Sequence, residues 1–380
     1  MSNTLDHLAA DIYKAADVVG RELVGFIPSS TINGDATTRA AKGDTIRAAF
    51  TRTPTVNTSF APSMTIPEGT DQTVDNKTMT LDNYVSVQIP WTGEDIKHVN
   101  NGSGFETIYG DQIKQAFRAI ANNIESAMAV AAYKGASRAI GSAGTTPFAS
   151  NFDTVAQVRQ ILVDNGAPID NQITLVLNTA AGTKLRNLAQ LQKVNESGGS
   201  DILRQGTLLD LQGLMIKESA QVASHTKGTG TSYQLSAAGA VGDTTINVDT
   251  GSGTLLAGDC ITFAGTSDIY VANTALSGGS FTIGAPGLRA IEANDDAITI
   301  GNSYTANVAF HRTAVELGIR PPALPAGGDS AVDIMTVQDP YSGLVFEIAV
   351  YKGYMKTMIE VRALYGVKVW KPNHVALLLG

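Results

Sequence analysis

Charged residues are scarce in this chain. Asp, Glu, Lys and Arg make up only 16% of its 380 residues, where soluble domains average about 25%. Such a shortage is typical either of a β-rich secreted protein or of a protein whose surface is largely buried against partners, because interface cores are depleted of charge. Both interpretations stay open at this point.

The chain has a single cysteine, Cys260, and 6% aromatic residues. One cysteine can form neither an intrachain disulfide nor a cysteine-based metal cluster. This composition suits synthesis in a reducing cytoplasm.

Long apolar runs are also absent. No stretch approaches the roughly 20 apolar residues of a bilayer-spanning helix, and Asp6, Asp11, Lys14 and Asp17 stand where a signal peptide would carry a basic start and an apolar stretch. We therefore predict a protein that neither spans a membrane nor is exported.

The net charge is −8, and the sequence contains no Lys/Arg run. Affinity for nucleic acid rises with the number of phosphates that basic side chains neutralise. We expect DNA to be at most a weak, non-specific neighbour of this protein.

Signatures of catalysis are missing. The sequence has no Gly-x-Ser-x-Gly elbow and no phosphate-binding loop, and its five histidines are scattered. Two adjacent carboxylate pairs, Glu94-Asp95 and Asp295-Asp296, are typical of turns, since neighbouring side chains on a strand point to opposite faces. We predict no enzymatic activity, no cofactor and no metal site; a hydrolase with a non-standard site stays open as a minor alternative.

The N-terminal segment predicts an amphipathic helix. Its apolar residues Leu8, Ile12, Val19 and Leu23 recur at helical spacing, with charged residues between them. Such a helix either docks on its own domain or binds a partner.

Residues 51–83 are rich in Thr, Ser, Pro, Asp and Asn, and Pro54, Pro62 and Pro67 exclude a helix there. Long segments without a core of their own are usually functional or disordered. We predict a protruding loop or hairpin between a strand at residues 45–50 and another at residues 85–91.

A long helix is predicted to follow. Ser103 and Glu106 fit a capping box, and no Gly or Pro stops the apolar stripe between Gly110 and Gly135. The predicted helix runs from Phe105 to about Ala139, roughly 50 Å at 1.5 Å per residue. Its predicted core face contains Phe105, Ile113, Phe117, Ile120 and Ile124.

The rest of the chain changes character twice. Residues 151–225 alternate helical and strand patterns, which indicates a mixed module. Residues 226–303 contain short alternating runs between glycine-rich turns, which predicts a small all-β insertion. This segment is also acidic: its net charge is −5, out of −8 for the whole chain. Residues 304–380 are predominantly strand-like.

Four sequence segments then stand out by their order. They are Lys42-Gly43-Asp44-Thr45-Ile46, Gly242-Asp243 to Gly258-Asp259-Cys260-Ile261-Thr262-Phe263-Ala264-Gly265, Asn307-Val308-Ala309-Phe310-His311-Arg312-Thr313-Ala314, and Arg362-Ala363-Leu364-Tyr365-Gly366-Val367 with Lys371-Pro372. In these marks, and over nearly its whole length, the chain resembles the major capsid (coat) proteins of tailed bacteriophages, in particular podovirus coat proteins with an inserted domain.

The resemblance implies an α+β fold of the Hong Kong 97 type. The implied divisions are an N-terminal arm (1–50), an extended E-loop with its flanking strand (51–92), a spine helix with the peripheral domain (93–150), a first part of the axial domain (151–225), an inserted β-barrel domain (226–303) and closing axial and peripheral strands (304–380).

The resemblance also implies a function. The chain would assemble with itself into hexamers and pentamers of an icosahedral shell, in the cytoplasm of a host bacterium, with a separate scaffolding protein and a portal as partners. We expect the arm and loop to clamp neighbouring subunits. The assembly candidates are Leu8, Ile12, Val19, Leu23, Pro54, Phe60, Pro67, Glu68 and Lys77.

One alternative from a different class stays open. A secreted β-rich adhesin or carbohydrate-binding protein would account for the low charge and the many glycines, but it would not account for a helix of about 35 residues.

Overall fold

The computed structural model describes residues 25–51, 56, 61–66, 74–100, 105–193, 210–339 and 342–380, with the backbone alone at 49–51, 74–75, 98–100 and 105–109. Over these residues the chain is a mixed α+β structure, so the predicted class is confirmed. The predicted N-terminal helix lies outside the described residues.

Five α-helices are seen in the described part of the chain: α1 (Gly93–Asn100), α2 (Phe105–Lys134), α3 (Asp153–Asp164), α4 (Thr179–Arg186) and α5 (Ala189–Gln192). Single 3-10 turns lie at Ile27–Ser29, Arg312–Ala314 and Pro372–His374.

The strands are β1 (Thr31–Gly34), β2 (Thr45–Thr51), β3 (Val74–Thr80), β4 (Asn83–Thr92), β5 (Arg138–Gly141), β6 (Ile173–Leu177), β7 (Met215–Glu218), β8 (Ser224–His225), β9 (Tyr233–Gln234), β10 (Thr245–Asn247), β11 (Cys260–Phe263), β12 (Ile269–Val271), β13 (Ser280–Thr282), β14 (Ala297–Ile300), β15 (Tyr304–His311), β16 (Val315–Arg320), β17 (Asp333–Gln338), β18 (Val345–Gly353), β19 (Lys356–Val369) and β20 (Val375–Leu379).

The long helix α2 is shorter than its sequence pattern predicts. It ends at Lys134 instead of near Ala139, and Ala139 lies in β5, paired with Leu377. Gly135 follows the last helical residue, and a Cβ there would lie 2.7 Å from Val369. At 1.5 Å per residue the 30-residue helix is about 45 Å long.

The central sheet is buried on both faces. Strands β15 and β20 lie side by side in it, and all five residues of β20 are buried. Alternate residues of β15 face opposite layers: Val308 and Phe310 pack with α2, whereas Ala309 packs with α3 and α4. This two-sided burial explains the nearly continuous apolar sequence of β20.

A second sheet has the order β1-β16-β19-β18-β17, and β4 also pairs with β19. The 14-residue strand β19 is its longest member and packs against α2. The aromatic rings of Phe117 on α2 and Phe346 on β18 meet edge to face at 4.9 Å between centroids. Helix α2 therefore joins both sheets in one core.

Residues 226–303 have an apolar core separate from the other clusters, formed by residues between Tyr233 and Ile298. Its strands pair in the order β9-β14-β11-β12, and β10 pairs with β13. Two isolated bridges, Leu235–Val248 and Ala272–Ile283, connect these groups. Strand β12 also pairs with β5, which links the segment to the central sheet.

One four-residue turn recurs four times, at residues 41–44, 240–243, 256–259 and 293–296. In each, the last residue is an aspartate whose carboxylate accepts a hydrogen bond from the first residue's N–H at 2.6–2.7 Å. The third residue has positive φ, and three of the four are glycine. Asp295 occupies this position in the fourth turn, so the Asp295-Asp296 pair belongs to a turn, as predicted.

Candidate functional site

The predicted protruding segment begins and ends in a two-stranded antiparallel ladder of β2 and β3. Its base is closed by backbone hydrogen bonds: Gly43 N–H donates to Leu81 O, and Leu81 N–H donates to Asp44 O, each at 2.9 Å. The Lys42-Gly43-Asp44 turn is therefore what fixes the start of the hairpin.

The base of this hairpin packs on two glycines. A Cβ at Gly366 would lie 2.1 Å from the carbonyl oxygen of Thr80, and a Cβ at Gly318 would lie 2.5 Å from Met79 Cε and 2.7 Å from Ile46 Cδ1. The backbone of β3 thus approaches β19 at Gly366 more closely than a side chain there would allow, and Gly318 of β16 leaves room for the side chains of Met79 and Ile46. This contact sets the position of the hairpin on the subunit.

Lys77 is the assembly candidate that the structure describes. It lies in β3 opposite Ala48, and its Nζ donates to the carbonyl oxygen of Trp370 at 3.1 Å. Desolvation, followed by the positive charges of Lys368 and Lys371, lowers the pKa of its amine. Lys77 thus ties the hairpin to the end of β19 in its own chain.

The other assembly candidates, Leu8, Ile12, Val19, Leu23, Pro54, Phe60, Pro67 and Glu68, lie outside the described residues. Within the described part of the loop, three apolar side chains are exposed: Val56 (79%), Met64 (105%) and Ile66 (91%). Apolar side chains this exposed on a projecting segment are typical of a surface that contacts a partner.

The core face predicted for the long helix agrees with the structure. Ile113, Phe117, Ile120 and Ile124 are each at most 2% exposed. Phe105 begins α2, but only its backbone is described.

Next to α2 lies an open groove along β4. It is lined by Val87, Gln88, Ile89 and Pro90 of the strand and by Asp111, Gln112, Gln115 and Ala116 of the helix. Trp91 Nε1 donates to Gln112 Oε1 at 2.9 Å. Among the strands of the described structure, β4 pairs only with β19.

A buried polar cluster lies where residues 226–303 meet the rest of the chain. The Asp259 carboxylate contacts His225 Nε2 at 2.8 Å and accepts from the N–H groups of Gly228 (3.0 Å) and Leu256 (2.6 Å). Tyr304 donates to the carbonyl oxygen of Gly258 at 2.6 Å. The cluster therefore contains residues from both ends of the segment: His225, where the chain enters it, and Tyr304, where the chain leaves it.

Cys260 adjoins this cluster. Its side chain is 4% exposed, and burial raises the pKa of its thiol to about 12. A buried thiol of this kind is inert at neutral pH.

The sequence did not single out this cluster, because His225 and Asp259 are 34 residues apart and show no catalytic spacing.

The described residues contain no group of three His, Cys, Asp or Glu side chains that could hold a metal ion. Asp95 of the Glu94-Asp95 pair accepts from Thr92 Oγ1 at 2.6 Å. It caps the first turn of α1.

The helices carry no membrane signal either: across the described ranges, none is both long and apolar enough to cross a bilayer.

Comparison with known proteins gives a structural answer. No protein-family model and no curated protein sequence matches the chain. A chain in the capsid structure of the cyanophage P-SCSP1u superimposes on it with a TM-score of 0.51 at 12% identity, covering 92% of this chain and 86% of that one. A structure from Mycobacterium phage Che8 gives a TM-score of 0.49 at 15% identity, covering 89% and 85%.

This chain has the fold of a phage capsid protein. The predicted resemblance is thus confirmed at the level of the fold. In this fold α2 packs in one core with both sheets, and residues 226–303 are linked to the central sheet through the pairing of β12 with β5.

Proposed function

We propose that this chain is the major capsid protein of a tailed double-stranded DNA bacteriophage and assembles with itself into an icosahedral shell. The observation that carries the proposal is the structural likeness to the cyanophage capsid chain over 92% of its length. A shell subunit makes extensive contacts with its neighbours, which accounts for the 16% of charged residues. The likeness gives no support to the secreted adhesin alternative.

The finer assignments belong to the same proposal. The fold is of the Hong Kong 97 type, with the hairpin of β2 and β3 as the E-loop and α2 as the spine helix. The inserted domain is a small barrel, which is supported by the two bridges that connect its two groups of strands. The six domain boundaries are those of the resemblance.

The partners and location are proposed by the same analogy. The subunit forms hexamers and pentamers, assembles in the host cytoplasm with a scaffolding protein and a portal, and contacts packaged DNA weakly. The net charge of −8 supports weak DNA contact. We propose no catalytic role, because one carboxylate of each adjacent pair, Asp95 and Asp296, caps a turn.

Shell formation tests this function directly. The full chain is expressed in a bacterium, and the high-speed pellet is examined by negative-stain electron microscopy over a concentration series. Closed shells, tubes or capsomer rings are expected. A chain that stays monomeric throughout the series, both alone and together with a scaffolding protein, would contradict the proposal.

The hairpin contact has its own test. Replacing Val56, Met64 and Ile66 by Ser should leave the fold intact, because all three side chains are exposed, but should reduce shell yield by tenfold or more. A matched control replaces Ile169 and Val241, which are 67% and 62% exposed elsewhere, by Ser. The control should assemble normally; equal loss in both variants would reject a specific role of the hairpin.

A further inference from the structure

Glu125 is a buried carboxylate in the middle of α2 that is 3% exposed. Oε1 accepts from the N–H of Phe26 at 2.6 Å, and Oε2 accepts from the N–H of Ile27 at 2.9 Å. Ser219 Oγ also donates to Oε1, at 3.0 Å. Three donors from two distant segments thus converge on one side chain.

The backbone of residue 25 is shaped around this carboxylate. A Cβ at Gly25 would lie 1.9 Å from Oε1 of Glu125 and 2.6 Å from Ser219 Cβ. No residue other than glycine leaves room for the carboxylate to reach the two N–H groups. Ser29 Oγ closes the turn by donating to the carbonyl oxygen of Gly25 at 2.9 Å.

The residues that follow are held as firmly. Phe26 and Ile27 are fully buried, and the ring of Phe26 stacks on that of Phe310, with centroids 5.8 Å apart and planes 2° from parallel. Residues 1–24 precede this point. The path of the chain is therefore fixed at residues 25–27, where the described structure begins.

A carboxylate is a costly group to bury. Burial raises the pKa of Glu125, while the hydrogen bonds from Ile27 and Phe26 oppose that rise. An apolar side chain would fill the same position in α2 without that cost, but it could not accept the two backbone hydrogen bonds. Core packing alone therefore does not explain why a glutamate occupies position 125.

We propose that Glu125 is the anchor that fixes the backbone of residues 25–27, and that this fixed point positions the N-terminal arm for contact with a second copy of this chain. The second clause rests on the proposed capsid function. Glu125 is a positioning residue: it acts on the arm through the backbone of Gly25, Phe26 and Ile27.

The decisive variant is Glu125→Gln. It preserves the size of the side chain but turns an amide NH₂ toward one of the two backbone N–H groups, so both cannot be satisfied. The matched control is Ser219→Ala, which removes one donor and leaves the contacts to Phe26 and Ile27 in place. Both variants are studied in the full chain.

Two readouts separate the two clauses. Amide hydrogen exchange of residues 26 and 27 should become at least tenfold faster in Glu125→Gln, with exchange in β15 and β20 unchanged, and should change little in Ser219→Ala. The yield of regular shells should fall at least tenfold in Glu125→Gln only.

Each of the other possible results contradicts one clause of the proposal. Unchanged exchange at residues 26 and 27 would reject the anchor. Faster exchange with normal shells would reject its role in positioning the arm. If the wild-type chain forms no shells even with a scaffolding protein, the proposed function and the positioning clause fail together, while the exchange measurement still decides whether Glu125 is an anchor.

Discussion

Gly318 and Gly366 lie directly opposite each other in the register of β16 and β19. Together they make a flat patch on which the base of the hairpin rests, with the carbonyl oxygen of Thr80 above Gly366 and Met79 above Gly318. The hairpin contacts Gly366 through a backbone atom and Gly318 through a flexible side chain. The two positions should therefore respond differently to the same substitution.

Gly366→Ala should destabilise the unassembled chain by about 2–3 kcal/mol, since its Cβ would meet a backbone atom that cannot move alone. Gly318→Ala should cost less, because the terminal atoms of Met79 and Ile46 can shift. Urea unfolding measures both. An equal cost at the two positions would contradict the proposed contact.

Gly110→Ala tests a glycine that, unlike Gly318 and Gly366, has free space for a Cβ atom. Gly110 lies inside α2, and nothing lies within 4 Å of the Cβ it would gain. Alanine in a helix interior is favoured over glycine by about 0.5–1 kcal/mol. The midpoint of urea unfolding should therefore rise; a fall would mean that α2 is crowded at this point.

Asp259→Asn and Asp243→Asn compare one turn in two environments. Both carboxylates accept the same hydrogen bond from the residue three positions earlier, but Asp259 is 1% exposed and also contacts His225 and Gly228. We expect a loss of roughly 3 kcal/mol for Asp259→Asn and under about 1 kcal/mol for Asp243→Asn. Chemical unfolding measures both losses. Similar losses for the two variants would contradict a stabilising role of the buried cluster around Asp259.

Cys260 should be unreactive in the folded chain. Its thiol is buried, with a pKa raised to about 12, so almost no thiolate exists at pH 8. A colorimetric disulfide reagent should label one thiol per chain in guanidinium and almost none without it. Rapid labelling of the native protein would contradict the burial of this residue.

Asp329 should make the chain sensitive to acid. The hydrogen bond from Tyr351 Oη, at 2.5 Å, holds the pKa of the Asp329 carboxyl below its ordinary value of 3.8, and Arg362 adds to the effect. A lowered pKa in the folded state stabilises the protein above pH 3.8, and this contribution is lost as the pH falls through the lowered value. Asp329→Asn should therefore be less stable than wild type at pH 6, and the gap should close toward pH 2. A gap that stays constant with pH would reject the linkage.

The local pattern of the sequence determined the mixed α+β class, the core face of α2 and the hairpin that begins after Lys42-Gly43-Asp44. Periodicity, glycine and proline act over a few residues, so they are readable without a fold. A further signal of the same kind was available for α1: Thr92 and Asp95 form a capping box, with Asp95 N–H donating to Thr92 Oγ1 at 3.2 Å.

Only the tertiary structure decided where α2 ends and which polar groups lie together. Helix α2 stops at Lys134, and the chain then enters β5, which pairs with β20 more than 200 residues later. Glu125 meets Phe26, and His225 meets Asp259, through contacts between segments 34 to 99 residues apart. No local pattern encodes such pairs, because the free energy of burying and satisfying a polar group depends on the neighbours that the complete fold supplies.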